Sequence, residues 1–116
     1  MKDFPANYQE LGAGMEALGQ AIPATMQAFG ALHAASSEAG ALDTKTKELI
    51  ALGIAITVRC DGCIAFHVHD AMKAGAGKDE IAETISVAVM MGGGPSVVYG
   101  SQALEAVKQF EAQGLS

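Results

Sequence analysis

An all-α fold is predicted by three observations. Half of the 116 residues are hydrophobic while only 5% are aromatic, a composition unlike the Val-, Tyr- and Thr-rich strands of a sandwich. Ala is the dominant residue, which suits small-residue helix packing. Between Gly and Pro breaks, apolar positions recur at helical spacing. A chain of this length makes one domain, residues 1–116, able to bury roughly two-thirds of its unfolded surface. The expected architecture is a compact bundle of about six helices.

The first helix is expected over about Asn7 to Gln20, where Leu11, Met15 and Leu18 form one stripe. Pro23, suited to a first helical position, opens a second that runs to about Ser37 with Met26, Phe29 and Leu32 facing inward. Gly40 ends that segment. Asp43 or Thr44 caps a third helix, "TKTKELIALGIAITV", charged at its start and apolar on all sides beyond Glu48, the pattern of a central, buried helix. A fourth begins around Cys60 and Asp61 and stops at "AGAG", where Gly75 supplies a left-handed C-terminal turn. "KDEIAETISVAVMM" makes a fifth whose acidic first turn matches the helix dipole, and "GGGP" breaks it. Pro95 opens the sixth, "PSVVYGSQALEAVKQFEAQG". Gly12, Gly14, Gly30 and Gly53 lie inside these patterns, where close approach of a neighbouring backbone is the expected reason for a residue that weakens a helix.

Seven Lys and Arg against 13 Asp and Glu, a formal charge of −6, argue against nucleic-acid partners and acidic membranes. The start, "MKDFPANYQELGAG", has no apolar run of signal-peptide length, and the longest apolar stretch, Leu49 to Val58, is too short to span a bilayer. A cytoplasmic location is expected, and in that reducing compartment two cysteines are not expected to act as a structural staple. A mean hydropathy of +0.26 is high for so small a domain. Copies of the chain are therefore expected to cover part of its surface.

"RCDGCIAFHVHD", Arg59 to Asp70, holds both cysteines and two of the three histidines. At about 100° per residue, Cys60, Cys63 and His67 fall within roughly 60° of one another on one helix face, whereas His69 is turned about 200° from His67. A helix N-terminus favours thiolate over thiol in first-turn cysteines. C-x-x-C alone leaves three readings: a redox pair, half of a zinc site, or two small buried hydrophobes. The second C-x-x-C or H-x₃₋₅-H that completes a structural zinc site is absent from the sequence. Glu48 either closes the charged start of the third helix or is buried; a buried carboxylate is costly unless hydrogen-bonded, and a histidine on the next helix is a suitable partner. Met90 and Met91 read as core or interface filler, His33 as a helix-surface or packing histidine, and "GGGP" as an interhelical turn rather than a phosphate loop.

The stretch "KELIALGIAITVRCDGCIAFHVHDAMKAGAGKDEIAETISVAVMMGGGPSVVYG" resembles the core of the alkyl hydroperoxidase D-like family within the carboxymuconolactone decarboxylase superfamily. The likeness covers about Asp43 to Leu104, and the pattern E-x₁₁-C-x-x-C-x₃-H maps onto Glu48, Cys60, Cys63 and His67. It implies an all-helical subunit in trimers or hexamers, with a thiol peroxidase or disulfide reductase site that uses no metal or haem. It further implies that Cys63 attacks peroxide, Cys60 resolves the sulfenic acid as a disulfide, and Glu48 and His67 relay protons. In larger members a histidine stands between the cysteines, where this chain has Gly62. Decarboxylases of the superfamily lack the cysteine pair.

Thiolate formation alone is too weak to make a peroxidase. Lowering a thiol pKa from about 8.5 to about 6.5 raises the thiolate fraction at pH 7 about 25-fold. The accompanying loss of nucleophilicity, about 8-fold, leaves roughly a 3-fold gain. A positioned acid that protonates the departing alkoxide supplies about 10² to 10⁴, the task expected of His67 or Glu48. The expected function is therefore a thiol-dependent oxidoreductase acting on a hydroperoxide or disulfide, with electrons from an external thiol donor, since no nucleotide fingerprint is present. Two alternatives remain: a non-redox decarboxylase or lyase using Glu48 and His67, and a non-catalytic oligomeric or metal-binding protein.

Overall fold

A computed structural model describes residues 1–115 and contains six helices: α1 (Phe4–Ala21), α2 (Pro23–Ser37), α3 (Thr44–Thr57), α4 (Asp61–Lys73), α5 (Lys78–Gly92) and α6 (Gly94–Ala112). There is no strand among the described residues. Helix α1 begins earlier than its apolar stripe suggests, because Asp3 caps it by accepting from the Ala6 N–H at 3.0 Å and Pro5 lies in its first turn. The early start carries Phe4 into the core, where it has no solvent exposure. Gln109 of α6 holds that end, accepting from the Phe4 N–H and donating to the Lys2 carbonyl, each at 2.7 Å.

Helix α3 is the hub. Asp43 caps it, accepting from the Thr46 N–H at 2.8 Å, and it packs against α4, α5 and α6. Leu52 and Ile56 of α3, Ile64 and Val68 of α4 and Ile81 of α5 are wholly enclosed. Each such side chain contributes about 1.5–3 kcal/mol of burial. Glu80 ties the starts of α5 and α3 by accepting from the Gly77 N–H and pairing with Lys45, each at 2.9 Å. The Gly77 hydrogen bond, followed by Lys45, holds the Glu80 carboxyl below its ordinary range.

Three packing expectations are corrected. Helix α2 has no buried residue, and Phe29 and Leu32 are 50% and 61% exposed rather than inward. The cause is its position: α2 leans on α1 and barely reaches α3, so its apolar stripe never meets the main core. Helix α3 is central yet not enclosed all round, since Ile50, Ile54 and Val58 stay exposed. With Val87 and Met91 of α5 they line an apolar groove of about 450 Å³. Finally, no neighbour approaches Gly12, Gly14 or Gly30, and Gly53 has only an ordinary contact with Thr84. Close approach occurs instead between α5 and α6, where a Cβ on Gly100 would stand 2.7 Å from Ile85 Cγ2. Gly75 does adopt the left-handed conformation, with φ of 99°.

No helix among the described residues is long and apolar enough to cross a membrane.

Candidate active site

The site forms where α3 turns into α4. Helix α3 ends at Thr57 with Val58 as its C-cap, and Arg59 takes a left-handed conformation with φ of 60°, an uncommon state for a residue other than glycine. This reverses the chain within three residues. The Cys60 N–H closes the turn on the Ala55 carbonyl at 3.1 Å. Cys60 then serves as the N-cap of α4 in an extended conformation, and its Sγ accepts from the Cys63 N–H at 3.2 Å. Sequence spacing treats Cys60 as a helical residue; the structure makes it the cap, which turns its sulfur back over the first turn. The two cysteines are joined as a disulfide, with their Cα atoms 5.2 Å apart. Cys63, the inner of the two, packs against the hydrophobic core.

Because α3 and α4 form a tight hairpin, the first half of α3 faces the middle of α4. Glu48 is 5% exposed. His67 Nδ1–H donates to its Oε2 at 2.8 Å. A carboxylate can only accept, so this bond fixes the imidazole tautomer and leaves Nε2 as the nitrogen available for proton exchange. Glu48 is thus the buried carboxylate of the two possibilities, with its partner on the next helix. His69 points elsewhere, stacked on Tyr8 with ring centroids 4.0 Å apart and bonded through Nδ1 to Asp70 at 2.8 Å. Burial first, and the Asp70 charge second, push the Tyr8 phenol above its ordinary range. The two histidines of "HVH" therefore serve different faces.

A cavity of about 240 Å³ opens against the disulfide. Cys60, Gly62, Cys63, Phe66 and His67 form its floor, and Leu11 and Met15 of α1 with Phe29 and His33 of α2 form its walls. Of the four residues singled out from sequence, Cys60, Cys63 and His67 reach this cavity, while Glu48 stands behind His67. Sequence reasoning missed His33 as a site residue. Its one signal is a spacing of one helical turn from Phe29, which puts both on one face of α2. Among the described residues no group of three or more His, Cys, Asp or Glu is arranged to hold a metal ion.

The arrangement joins a C-x-x-C pair able to cycle between dithiol and disulfide with a carboxylate–imidazole pair able to hold or move a proton. Comparison with known proteins agrees with this architecture. The model of the carboxymuconolactone decarboxylase family matches residues 23–106, from the start of α2 into α6. An uncharacterized protein of Cupriavidus necator is 38% identical over 102 residues, covering 88% of this chain and 90% of its own length. Among solved structures, the apo form of a carboxymuconolactone decarboxylase family protein from Legionella pneumophila superposes with a TM-score of 0.89 at 40% identity, over 92% of this chain and 96% of that one. A family member from Thermotoga maritima, for which involvement in an antioxidative response has been suggested, superposes with a TM-score of 0.73 at 30% identity, over 78% and 93%. On the family match, the shared helical fold and the identities along most of the chain, this protein belongs to the carboxymuconolactone decarboxylase family.

Proposed function

We propose that the protein is a thiol-dependent oxidoreductase that reduces hydroperoxides, with Cys63 as the attacking thiol and Cys60 as the resolving one. The observation that carries this reading is the Cys60–Cys63 disulfide beside the Glu48–His67 pair, with both sulfurs and the imidazole on one cavity. A proton-transfer pair has little use next to an inert structural bridge, and a four-residue disulfide loop constrains an unfolded chain only weakly. The antioxidative role suggested for the Thermotoga maritima relative points the same way.

In the reduced protein the Cys63 thiolate attacks the terminal oxygen of ROOH. The O–O bond breaks, its electron pair leaves with RO⁻, and a proton relayed through His67 converts RO⁻ to ROH. The HO group now on Cys63 makes it a sulfenic acid. The Cys60 thiolate attacks that sulfur, hydroxide departs and is protonated to water, and the disulfide forms. Two electrons have passed from the dithiol to the peroxide. An external dithiol reductant returns them by exchange at Cys60, the sulfur at the mouth of α4. Glu48 acts by holding the imidazole in the tautomer whose Nε2 exchanges protons.

The exposed groove between α3 and α5 supports a homo-oligomer, a trimer or hexamer, in which a second copy covers Ile54, Val58 and Met91.

Thiol titration of the reduced native protein, before and after one equivalent of an organic hydroperoxide, tests the chemistry. Two thiols lost per peroxide consumed is the expected result. Peroxide left unconsumed while both thiols remain titratable would overturn the redox reading, as would a decarboxylase or lyase activity that survives loss of both cysteines.

A further inference from the structure

Arg59 is the only arginine of the chain and stands immediately before Cys60. It is exposed, and no ion pair among the described residues engages it. The carboxylates nearest the sulfurs already have partners. Asp61, on the other side of Cys60 in the chain, is bonded through Oδ2 to Lys2 at 2.6 Å, and Glu48 is buried against His67. The turn between α3 and α4 therefore presents one uncompensated positive charge on a chain whose formal charge is −6. Its backbone makes the residue a costly choice: a φ of 60° is open to glycine without steric penalty and disfavoured for a residue with a side chain. Neighbouring Cα atoms are about 3.8 Å apart, so most rotamers keep the guanidinium within about 10 Å of the Cys60 sulfur, one Debye length at 0.1 M salt. Arg59 does not line the cavity over the disulfide, so its charge bears on what reaches Cys60 from solution rather than on what the cavity holds.

We propose that Arg59 is a specificity-determining residue for the reductant, favouring a small thiol donor that carries an anionic group a few bonds from its sulfur. The inference rests on the redox reading, in which the donor meets Cys60. One donor thiolate attacks Cys60 Sγ, the Cys60–Cys63 bond breaks, and Cys63 leaves as a thiolate and takes up a proton. A second donor thiolate, on the same molecule or another, attacks the donor sulfur of the mixed disulfide. Cys60 leaves and is protonated, and the donor ends as a disulfide, two electrons poorer. An anion beside the attacking sulfur meets Arg59 in the first of these steps, where the approach to Cys60 is decided. A small donor is favoured over an acidic protein surface. The protein surface would meet the repulsion of the whole chain, whereas a small anion meets chiefly the charge nearest its sulfur.

Reduction of the disulfide form by two matched thiols in excess tests this without peroxide. The probes are 2-mercaptoethanesulfonate and 2-mercaptoethanol, which differ in a sulfonate against a hydroxyl. Rate constants are read by acid quenching, alkylation and mass spectrometry at matched, low ionic strength. Two unit charges about 6 Å apart in water change a rate about 3-fold. The sulfonate-to-hydroxyl rate ratio should therefore fall about 3-fold in R59Q and about 10-fold in R59E, and R59K should restore it. Salt at about 1 M should erase the difference between parent and R59Q. Any effect of Arg59 on the sulfurs themselves acts on both thiols alike and cancels in the ratio. R59G should share the R59Q ratio and unfold at a urea midpoint no lower than the parent's, since glycine tolerates the turn. A lower midpoint would assign the side chain to the fold and overturn the proposal. Rapid reduction by both thiols with one ratio in parent and R59Q would overturn it while leaving the redox reading intact. A disulfide that neither thiol opens would overturn the redox reading, and the proposal with it.

Discussion

Replacing Glu48 by Gln changes charge without changing shape, which makes it the sharpest probe of the proton-transfer pair. Glu48 is 5% exposed and its Oε2 lies 2.8 Å from His67 Nδ1. A Gln carbonyl oxygen can still accept from the Nδ1–H, so the fold keeps its hydrogen bond but loses the charge assistance. A charge-assisted bond is worth about 1.5–3 kcal/mol and a neutral one about 0.5–1.5 kcal/mol, so a stability loss of about 1–2 kcal/mol is expected in urea denaturation. Peroxide reduction should fall further than that. General acid catalysis contributes about 10² to 10⁴, and a loss of at least tenfold is expected once the carboxylate no longer supports a cationic imidazole. The assay is single-turnover oxidation of the reduced protein by an organic hydroperoxide, with thiol count and helicity as controls. Glu48→Ala should be worse in stability, by about 1–3 kcal/mol more, because it strands the buried Nδ1–H. Unaltered single-turnover rates in Glu48→Gln would refute the argument and leave Glu48 as a packing partner of His67.

With peroxide and a sulfenic-acid probe, Cys60→Ser should accumulate an adduct on Cys63 and Cys63→Ser should show almost none; mass spectrometry giving the reverse pattern exchanges the two roles. Ile54→Asp, at a position 58% exposed in one chain, should leave the helical content intact and lower the particle mass measured by light scattering. An unchanged mass, or a parent protein already at 11.8 kDa, would reject the α3–α5 groove as the contact between copies. Phe4→Ala removes a side chain with no solvent exposure and should destabilise the fold by about 3–5 kcal/mol in urea. A loss below about 1 kcal/mol would mean that the start of α1 contributes little to the core.

The helices were legible because the chain marks their ends with residues that act locally. Asp43, Gly75, and Gly93 with the Gly–Pro pair that opens α6 are caps and turns whose effect depends on immediate neighbours. The Asp3 cap is of the same kind, but the apolar stripe it precedes begins only at Leu11, so periodicity alone sets the start of α1 too late. The faces of α2 and α3 were less legible. Periodicity shows that a helix has an apolar side without showing what covers it, and both helices leave apolar side chains uncovered in one chain. The site divides in the same way. Cys63 and His67 share the first turns of α4, where spacing decides their face, and Cys60 caps the same helix, so one short stretch brings all three together. The Glu48–His67 bond spans two helices, and residue spacing could offer only a plausible partner. His33 reaches the cavity through the way α2 leans on α1, a tertiary arrangement of which local sequence shows only the shared face of Phe29 and His33.

The position of the cysteines at the very start of α4 has a consequence for motion. Residues three apart at the beginning of an α-helix already have Cα atoms about 5 Å apart, and Cys60 and Cys63 are 5.2 Å apart with the bond formed. Joining or parting the sulfurs therefore calls for side-chain rotation and almost no travel of the backbone. The helix needs no unwinding stroke, and neither oxidation state has to wait on a slow rearrangement. In the proposed cycle, turnover would run at the pace of its chemistry and of its encounters with a donor, and the oxidised and reduced forms would offer that donor nearly the same silhouette. A donor serving the proposed cycle would have to tell them apart at the sulfurs themselves.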